Sequence, residues 1–342
     1  MSLTNRQILL ASRPVGKATV DNFRLVETLV PAPADLAPGQ VLVRHHYLSL
    51  DPYMRMRMND ARSYAPPQAL GAVMVGGTAG EVVASRHPNH AVGDRVVGGG
   101  GWQEYAVVDG PALAMLRKVD TSKVPLSAYL GAVGMPGVTA WVGLSMIVAP
   151  KAGETVVVSA ASGAVGSAVG QLAKARGCRV VGIAGGPDKC AYVVDRLGFD
   201  ACIDHRQHRD AASLSAALKQ VAPGGVDGNF ENVGGLVLDA VMANMNDFGR
   251  IALCGMISGY NDEPIPLAQP RLILTARLKL QGFIVSEHMN LWPQALQELA
   301  QRVASGQLQY RETIAQGLQA APAAFLGMLE GRNFGKQLVK LV

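Results

Sequence analysis

Residues 156–190 read VVVSAASGAVGSAVGQLAKARGCRVVGIAGGPDKC. An apolar run rich in β-branched residues enters a glycine-bearing turn. Small and apolar residues at helical spacing follow, and then a second apolar run, RVVGIAG. That succession predicts strand, turn, helix and strand, a βαβ unit able to hold a dinucleotide. Within AASGAVG the fingerprint G-x-G-x-x-G is present with Ala161 at its first position, followed by Gly163 and Gly166. Gly163 lets a pyrophosphate approach the backbone, and Gly166 lets helix and strand pack closely. The helix start at Ala164, Val165 and Gly166 turns N–H groups and the positive end of the helix dipole toward phosphate. A glycine pattern alone is weak, and a tight βα turn without ligand is the competing reading. The flanking strand and amphipathic helix favour the dinucleotide.

The end of the second predicted strand selects between cofactors. NAD-specific sites place Asp or Glu about 20 residues beyond the glycines, on the ribose 2′-hydroxyl. Here the strand ends in Ile183-Ala184-Gly185-Gly186, without a carboxylate. Lys189 follows and can meet a 2′-phosphate as a point charge; the competing reading is a solvated lysine at a helix start. Asp188 is expected to cap that helix. Downstream, in ACIDHR, His205 and Arg206 follow a third strand and flank the adenosine, unless His205 is an ordinary loop residue. These features favour NADP(H).

Further out, strand–helix alternation begins after about Leu130. ACID, GNFENV, GRIALCG and LKLQGFIV are further strands, with GLVLDAVMANMN among the helices. This is the pattern of a Rossmann, doubly wound parallel sheet. Before it, QVLVRHHYLSL, VMVGGTAGEVVAS and GDRVVGGGGWQEYAVVDG are short strands punctuated by glycine, which predicts a partly open β-barrel. After about Ser305 come a helix, APAAFLGMLEGR, and a strand, KQLVKLV, which are expected to return to the first domain. The expected domains are therefore 1–130 with 305–342, and 131–304.

The 342 residues are ample for two such domains. A net charge of +5, scattered without a basic block, implies mild attraction for anions and no nucleic-acid partner. The N-terminus is too short in apolar residues for a signal peptide, and no apolar stretch is long enough for a membrane span, so a cytoplasmic location is expected. Cys178, Cys190, Cys202 and Cys254 show no CxxC spacing and are expected to be reduced. No metal site is expected: no cysteine precedes Cys178, His45 and His46 are neighbours on opposite faces of a strand, and His87 and His90 lie in a polar loop.

Seven stretches carry a resemblance: LSLDPYMRMRM (48–58), VGMPGVTAWVGL (133–144), AASGAVGSAVGQLAK, FENVGG (230–235), CGMISGYN (254–261), GFIV (282–285) and GRNFGKQLVKLV (331–342). The chain resembles a zinc-independent member of the medium-chain dehydrogenase/reductase superfamily. Within it, the chain is similar to the prostaglandin reductase/leukotriene 12-hydroxydehydrogenase group, with its plant alkenal double-bond reductases and bacterial curcumin reductase. The family often carries Tyr at the position of His205.

The resemblance implies a GroES-like barrel domain before the Rossmann domain, and NADPH-dependent reduction of a carbon–carbon double bond conjugated to a carbonyl. It also implies a homodimer through the Rossmann sheet edge at LKLQGFIV. It places Asn232 and the Cys254, Gly255, Ile257, Ser258 and Tyr260 turn beside the nicotinamide ribose. Phe283, Ile284 and Val285 hold the carboxamide, and Asn333 closes over the cofactor unless it is a helix C-cap. Negative charge gathers on the carbonyl oxygen during such a reduction, and a neutral donor near it lowers the barrier. Tyrosine suits that task. Tyr260, just past a strand's carboxyl end, is the first candidate. Tyr53 in DPYMR is the second, with a structural role beside Asp51 and Arg55 as its competing reading. Met54, Met56 and Met58 line a pocket or fill a core. A quinone reductase of the same superfamily and a non-catalytic NADPH-binding protein are the alternatives.

Overall fold

The computed structural model describes residues 3–261 and 264–342. It divides into two compact units, Met1–Gly131 with Glu312–Val342, and Ala132–Arg311.

In the first unit the nine-residue strand Val41–Ser49 is the hub. It pairs with Thr78–Ser85, Tyr105–Val108 and Lys336–Lys340, all antiparallel. The sheet continues through Arg95–Gly98 to Arg117–Lys118 at one end and to Glu312–Gln316 at the other. The register against Thr78–Ser85 shifts twice, between Leu42 and Val43 and between His45 and Tyr47. Such bulges bend a strand and raise its twist, which rolls the sheet toward a partly open barrel. A Cβ on Gly80 would lie 2.1 Å from the Arg44 carbonyl oxygen, so the crossing of these two strands requires glycine. Trp102 fills one core of this unit, stacked on Phe23 at 5.4 Å and edge-on to Phe325 at 5.6 Å.

The second unit carries a six-stranded, wholly parallel sheet in the order Ala201–Asp204, Arg179–Ala184, Thr155–Ser159, Val226–Glu231, Met245–Leu253, Lys279–Gly282. The first strand in sequence is third in space, so the chain starts centrally and winds outward both ways. Every residue of Thr155–Ser159 is buried, because helices cover both faces. Val156 and Val158 pack with Val169 and Leu172 on one side, while Val157 packs with Leu214, Leu218 and Val241 on the other. Period-two alternation is invisible in VVVS because both faces are apolar. Among the described residues no helix is long and apolar enough to cross a membrane.

Candidate cofactor site

The turn after Thr155–Ser159 is built by backbone geometry. Ala160 adopts a left-handed φ of 47°, the Ala161 N–H donates to the Ile183 carbonyl at 3.0 Å, and the Gly163 N–H donates to the Ala160 carbonyl at 2.9 Å. Helix Ala164–Ala175 then begins with Gly163 at its N-cap and no side-chain cap. Its first N–H groups, on Ala164, Val165 and Gly166, have no earlier turn of the helix to bond. A Cβ on Gly166 would lie 2.4 Å from the Ala160 carbonyl oxygen, so no other residue permits this helix–strand approach. At Gly163 the same test meets one atom, the same oxygen, at 3.1 Å.

At the end of Arg179–Ala184 the chain passes Gly185 and turns at Gly186, whose φ is 98°. Asp204 Oδ1 accepts the Gly186 N–H at 2.7 Å and the Arg206 N–H at 3.0 Å, locking the ends of two neighbouring strands together. His205 and Arg206 thereby lie over Gly185: a Cβ there would meet His205 Nε2 at 2.9 Å and Arg206 Nε at 3.1 Å. Lys189 joins them from helix Pro187–Asp195. Burial and then the Arg206 charge lower its pKa. Burial also lowers the His205 pKa; Asp204 opposes this, and Arg206 and Lys189 add to it. Three basic side chains thus crowd one strand end, and their mutual repulsion is what a bound dianion would relieve. Asp188 is not the cap expected of it. The N-cap is Gly186, with Pro187 and Asp188 inside the first turn.

A buried carboxylate organises the next strand end. Glu231 accepts from Ser159 Oγ at 2.9 Å, from Asn229 at 3.1 Å, and from the N–H groups of Val233 and Gly234 at 2.7 and 2.8 Å. Ser159 in turn accepts the Asn232 N–H at 2.7 Å, and its carbonyl accepts Asn232 Nδ2 at 2.8 Å. Asn232 is therefore fixed at both backbone and side chain. The turn of Cys254, Gly255, Ile257, Ser258 and Tyr260 is laced to the same loop: the Cys254 and Gly255 N–H groups donate to Glu231, Ile257 to Asn232 and Ser258 to Val233. Burial pushes the Cys254 thiol up to about 12. The Tyr260 hydroxyl accepts the Met256 N–H at 3.4 Å. Phe283 is buried against Phe230, their rings 6.2 Å apart. The Ile284 carbonyl accepts from Glu287 at 3.0 Å, and the Val285 carbonyl from Trp292 at 3.1 Å.

In the other unit Tyr53 opens the short helix Tyr53–Arg57, and burial followed by the Asp51 charge raises its pKa. Asp51 pairs with Lys336 Nζ at 2.7 Å; that ammonium also donates to the Leu50 carbonyl at 2.6 Å, and Ser49 Oγ donates to the carboxylate. Met54 and Met58 are wholly buried core, and Met56 is half-buried. Asn333 Nδ2 donates to the Gly335 carbonyl at 2.8 Å. The preceding helix ends earlier, at Leu329 with Glu330 as its cap, so Asn333 is not a helix C-cap. His45 is sealed in the barrel with Nδ1 2.8 Å from the Gln103 carbonyl, and burial lowers its pKa to about 4. His46 faces Glu81 at 3.9 Å. Among the described residues no three His, Cys, Asp or Glu side chains gather as a metal would require.

Residues 6–116 match the family model described as the N-terminal domain of oxidoreductase, and residues 164–301 match the one described as zinc-binding dehydrogenase. The chain is 46% identical to an NADPH-dependent curcumin reductase of Escherichia coli over 98% of this chain and 97% of that one. It is 40% identical to a 2-alkenal reductase (NADP(+)-dependent) of Nicotiana tabacum over the same shares of the two chains. The chain belongs to the medium-chain dehydrogenase/reductase family. The crystal structure of CurA in complex with NADPH from Vibrio vulnificus superimposes with a TM-score of 0.90, at 47% identity, over 98% of this chain and 99% of that one.

Two parts of this dehydrogenase/reductase went unread in the sequence. Glu231 is the last letter of a strand that already carries Asp227 and Asn229, where one more polar residue reads as a strand end. Its signal is that VDGNFE closes on a carboxylate just before a Gly-Gly loop with N–H groups to satisfy. The Lys336–Asp51 pair joins residues 285 apart in the chain, and no local pattern could show it.

Proposed function

We propose that the chain is an NADPH-dependent reductase of carbon–carbon double bonds conjugated to a carbonyl, taking enones or enals as substrate without a metal. The observation that carries the cofactor half is His205 and Arg206 lying over Gly185, with the Lys189 ammonium close enough to feel the Arg206 charge, at a strand that ends in Ile183-Ala184-Gly185-Gly186 without a carboxylate. That donor set fits a 2′-phosphate. Asp204 is spent on the backbone N–H groups of Gly186 and Arg206 and holds the cradle's shape.

When bound, NADPH supplies a hydride to the substrate's β-carbon. The protein's part is positioning and charge stabilisation. Gly163, Ala164, Val165 and Gly166 offer N–H groups to the pyrophosphate. Asn232, Cys254, Gly255, Ile257 and Ser258 border the nicotinamide ribose on a loop pinned by Glu231 and Ser159. Phe283, Ile284 and Val285 supply backbone groups to the carboxamide. Tyr260 donates its hydroxyl proton toward the developing enolate oxygen. The N–H bond it accepts from Met256 withdraws electron density from the phenol oxygen and strengthens that donation. Tyr53 is the alternative donor.

The test is NADPH oxidation by purified protein with an aryl enone, with a quinone and with neither. The expected result is turnover with the enone, and a product heavier by two hydrogens. Turnover with the quinone alone would make this a quinone reductase, and turnover with neither would leave a binding protein. The working form is a homodimer paired through the edge strand Lys279–Gly282.

A further inference from the structure

Glu231 is fully buried on a strand flanked by two others, and neutral donors alone meet its carboxyl: Ser159 Oγ, Asn229 Nδ2 and the N–H groups of Val233 and Gly234. Burying an acid without a cation costs stability, and a group kept at that cost in a site is a candidate for a role in it. The donors form a chain with one direction. The Asn232 N–H can only donate, so Ser159 Oγ accepts it at 2.7 Å. The hydroxyl's own proton goes to Glu231 Oε1 at 2.9 Å, the Phe230 carbonyl being a poorer acceptor at 3.5 Å. Oε2 takes Asn229 Nδ2 at 3.1 Å. Asn229 is wholly buried, yet its own oxygen, Oδ1, meets no partner. A buried oxygen left bare is costly. The opposite rotamer would set that oxygen against Oε2 and take a donor from the carboxyl.

We infer that Ser159 and Glu231 are positioning residues for hydride transfer, setting the Asn232 amide and, through the following turn, the Tyr260 donor. Both are fully buried, so they act only through their neighbours. Asn232 Nδ2 donates to the Ser159 carbonyl at 2.8 Å, a bond that its Oδ1 could not make. The side-chain amide is therefore held one way round, with Oδ1 left as an acceptor for a ribose hydroxyl. The second arm is backbone. The Glu231 carbonyl accepts the Cys254 and Gly255 N–H groups at 2.9 and 3.2 Å, and the Asn232 and Val233 carbonyls accept those of Ile257 and Ser258 at 3.2 and 3.0 Å. Asn232 and Tyr260 close around Gly255, where a Cβ would lie 3.2 Å from the Asn232 carbonyl oxygen and 3.3 Å from the Tyr260 hydroxyl. Loosening residues 231–233 thus moves both groups together. The role rests on the reductase reading proposed above and adds two residues to it.

Glutamine at 231 should preserve the arrangement. Its Oε1 keeps the bonds from Ser159, Val233 and Gly234, and its Nε2 donates to the bare Asn229 Oδ1 after a half-turn of that amide. Alanine at 231 offers none of these bonds, and alanine at 159 breaks the chain at its hydroxyl.

The experiment compares wild type with Ser159→Ala, Glu231→Ala and Glu231→Gln. Hydrogen–deuterium exchange of cofactor-free protein, mapped on peptides, should quicken over residues 232–235 and 254–258 in both alanine variants and stay slow in Glu231→Gln. Single-turnover NADPH oxidation with an aryl enone should slow about tenfold or more in the alanine variants, as for a misplaced reacting pair. Glu231→Gln should recover the rate to within about threefold of wild type. C4-deuterated NADPH should show an isotope effect at least as large as wild type's, placing the loss in hydride transfer. The ratio of NADPH to NADH Michaelis constants should not change, because Lys189, His205 and Arg206 follow other strands. Unaltered exchange in Ser159→Ala overturns the inference, as does faster exchange with a wild-type rate. A Glu231→Gln enzyme as slow as Glu231→Ala overturns it too, since charge and not position would then be at work. If Glu231→Ala does not fold, Ser159→Ala and Glu231→Gln decide alone. A wild type that oxidises no NADPH with the enone would overturn the reductase reading instead, while exchange in the cofactor-free variants still decides whether Ser159 and Glu231 hold the two turns.

Discussion

Lys189 shares its charge burden with two neighbours, and that sharing sets the size of its effect. A charged contact to phosphate contributes about 1.5–3 kcal/mol. With Arg206 and His205 over Gly185 to share the phosphate, Lys189→Ala should raise the NADPH Michaelis constant by about tenfold, the low end of that range. NADH use should change little, and the double variant with Arg206→Ala should lose more than either single. Steady-state kinetics with both cofactors checks this; equal weakening of both would mean that Lys189 does not read the 2′-phosphate. Tyr260 poses a different question, because its hydroxyl already accepts an N–H from its own turn at 3.4 Å. Tyr260→Phe keeps the ring and loses the proton. An oxyanion donor is worth about 2.7–4 kcal/mol, so turnover should fall about a hundredfold, softened to about tenfold if water or a ribose hydroxyl substitutes. The loss should fall on turnover more than on the Michaelis constant, since the donor acts on transition-state charge. Single-turnover NADPH oxidation with an aryl enone compares wild type, Tyr260→Phe and Tyr53→Phe. A defect confined to Tyr53→Phe would move the donor to the first unit.

At the scale of elements, the strand–turn–helix at Thr155–Ala175 separates two roles of glycine. Gly166→Ala places a methyl 2.4 Å from a backbone carbonyl oxygen, which cannot yield without moving helix or strand. Overpacking of this kind costs about 1–3 kcal/mol, less what alanine recovers through helix propensity. At Gly163 the contact is a milder 3.1 Å, so Gly163→Ala should unfold near the wild-type temperature yet block the pyrophosphate. Thermal melts with and without NADPH check the pair: Gly166→Ala should melt lower in both, and Gly163→Ala should lose only the ligand's stabilisation. The turn was legible because Gly163 and Gly166 mark it locally, although the left-handed φ falls on Ala160, a residue that carries no such signal. The parallel sheet was legible for a related reason, since apolar runs buried on both faces alternate with amphipathic helices. LKLQGFIV shows the limit: regular pairing stops at Gly282, and the next residues turn through bonds to Glu287 and Trp292 that no strand pattern encodes. The network of Ser159, Glu231 and Asn232 was illegible because it joins the ends of two adjacent strands 72 residues apart. Only the fold brings them together.

For the whole molecule the open question is what meets the sheet's last strand. Lys279–Gly282 bonds Met245–Leu253 on one side and is the terminal strand of its sheet. Its opposite edge carries main-chain donors and acceptors that a second chain could match. Lys279, Gln281 and Gly282 are exposed. A two-fold pairing of this edge would bring the same residues of both chains together, as an isologous interface requires. Sedimentation at micromolar concentration should therefore give the mass of two 35.9 kDa chains. Gln281→Lys adds a like charge from each chain beside Lys279, and like charges facing each other across strands are destabilising. That variant should shift toward the single-chain mass while still binding NADPH, because Gln281 is not among the residues assigned to the cofactor. A wild-type protein that sediments as one chain would remove the dimer. A Gln281→Lys protein that remains a dimer would place the interface on another face.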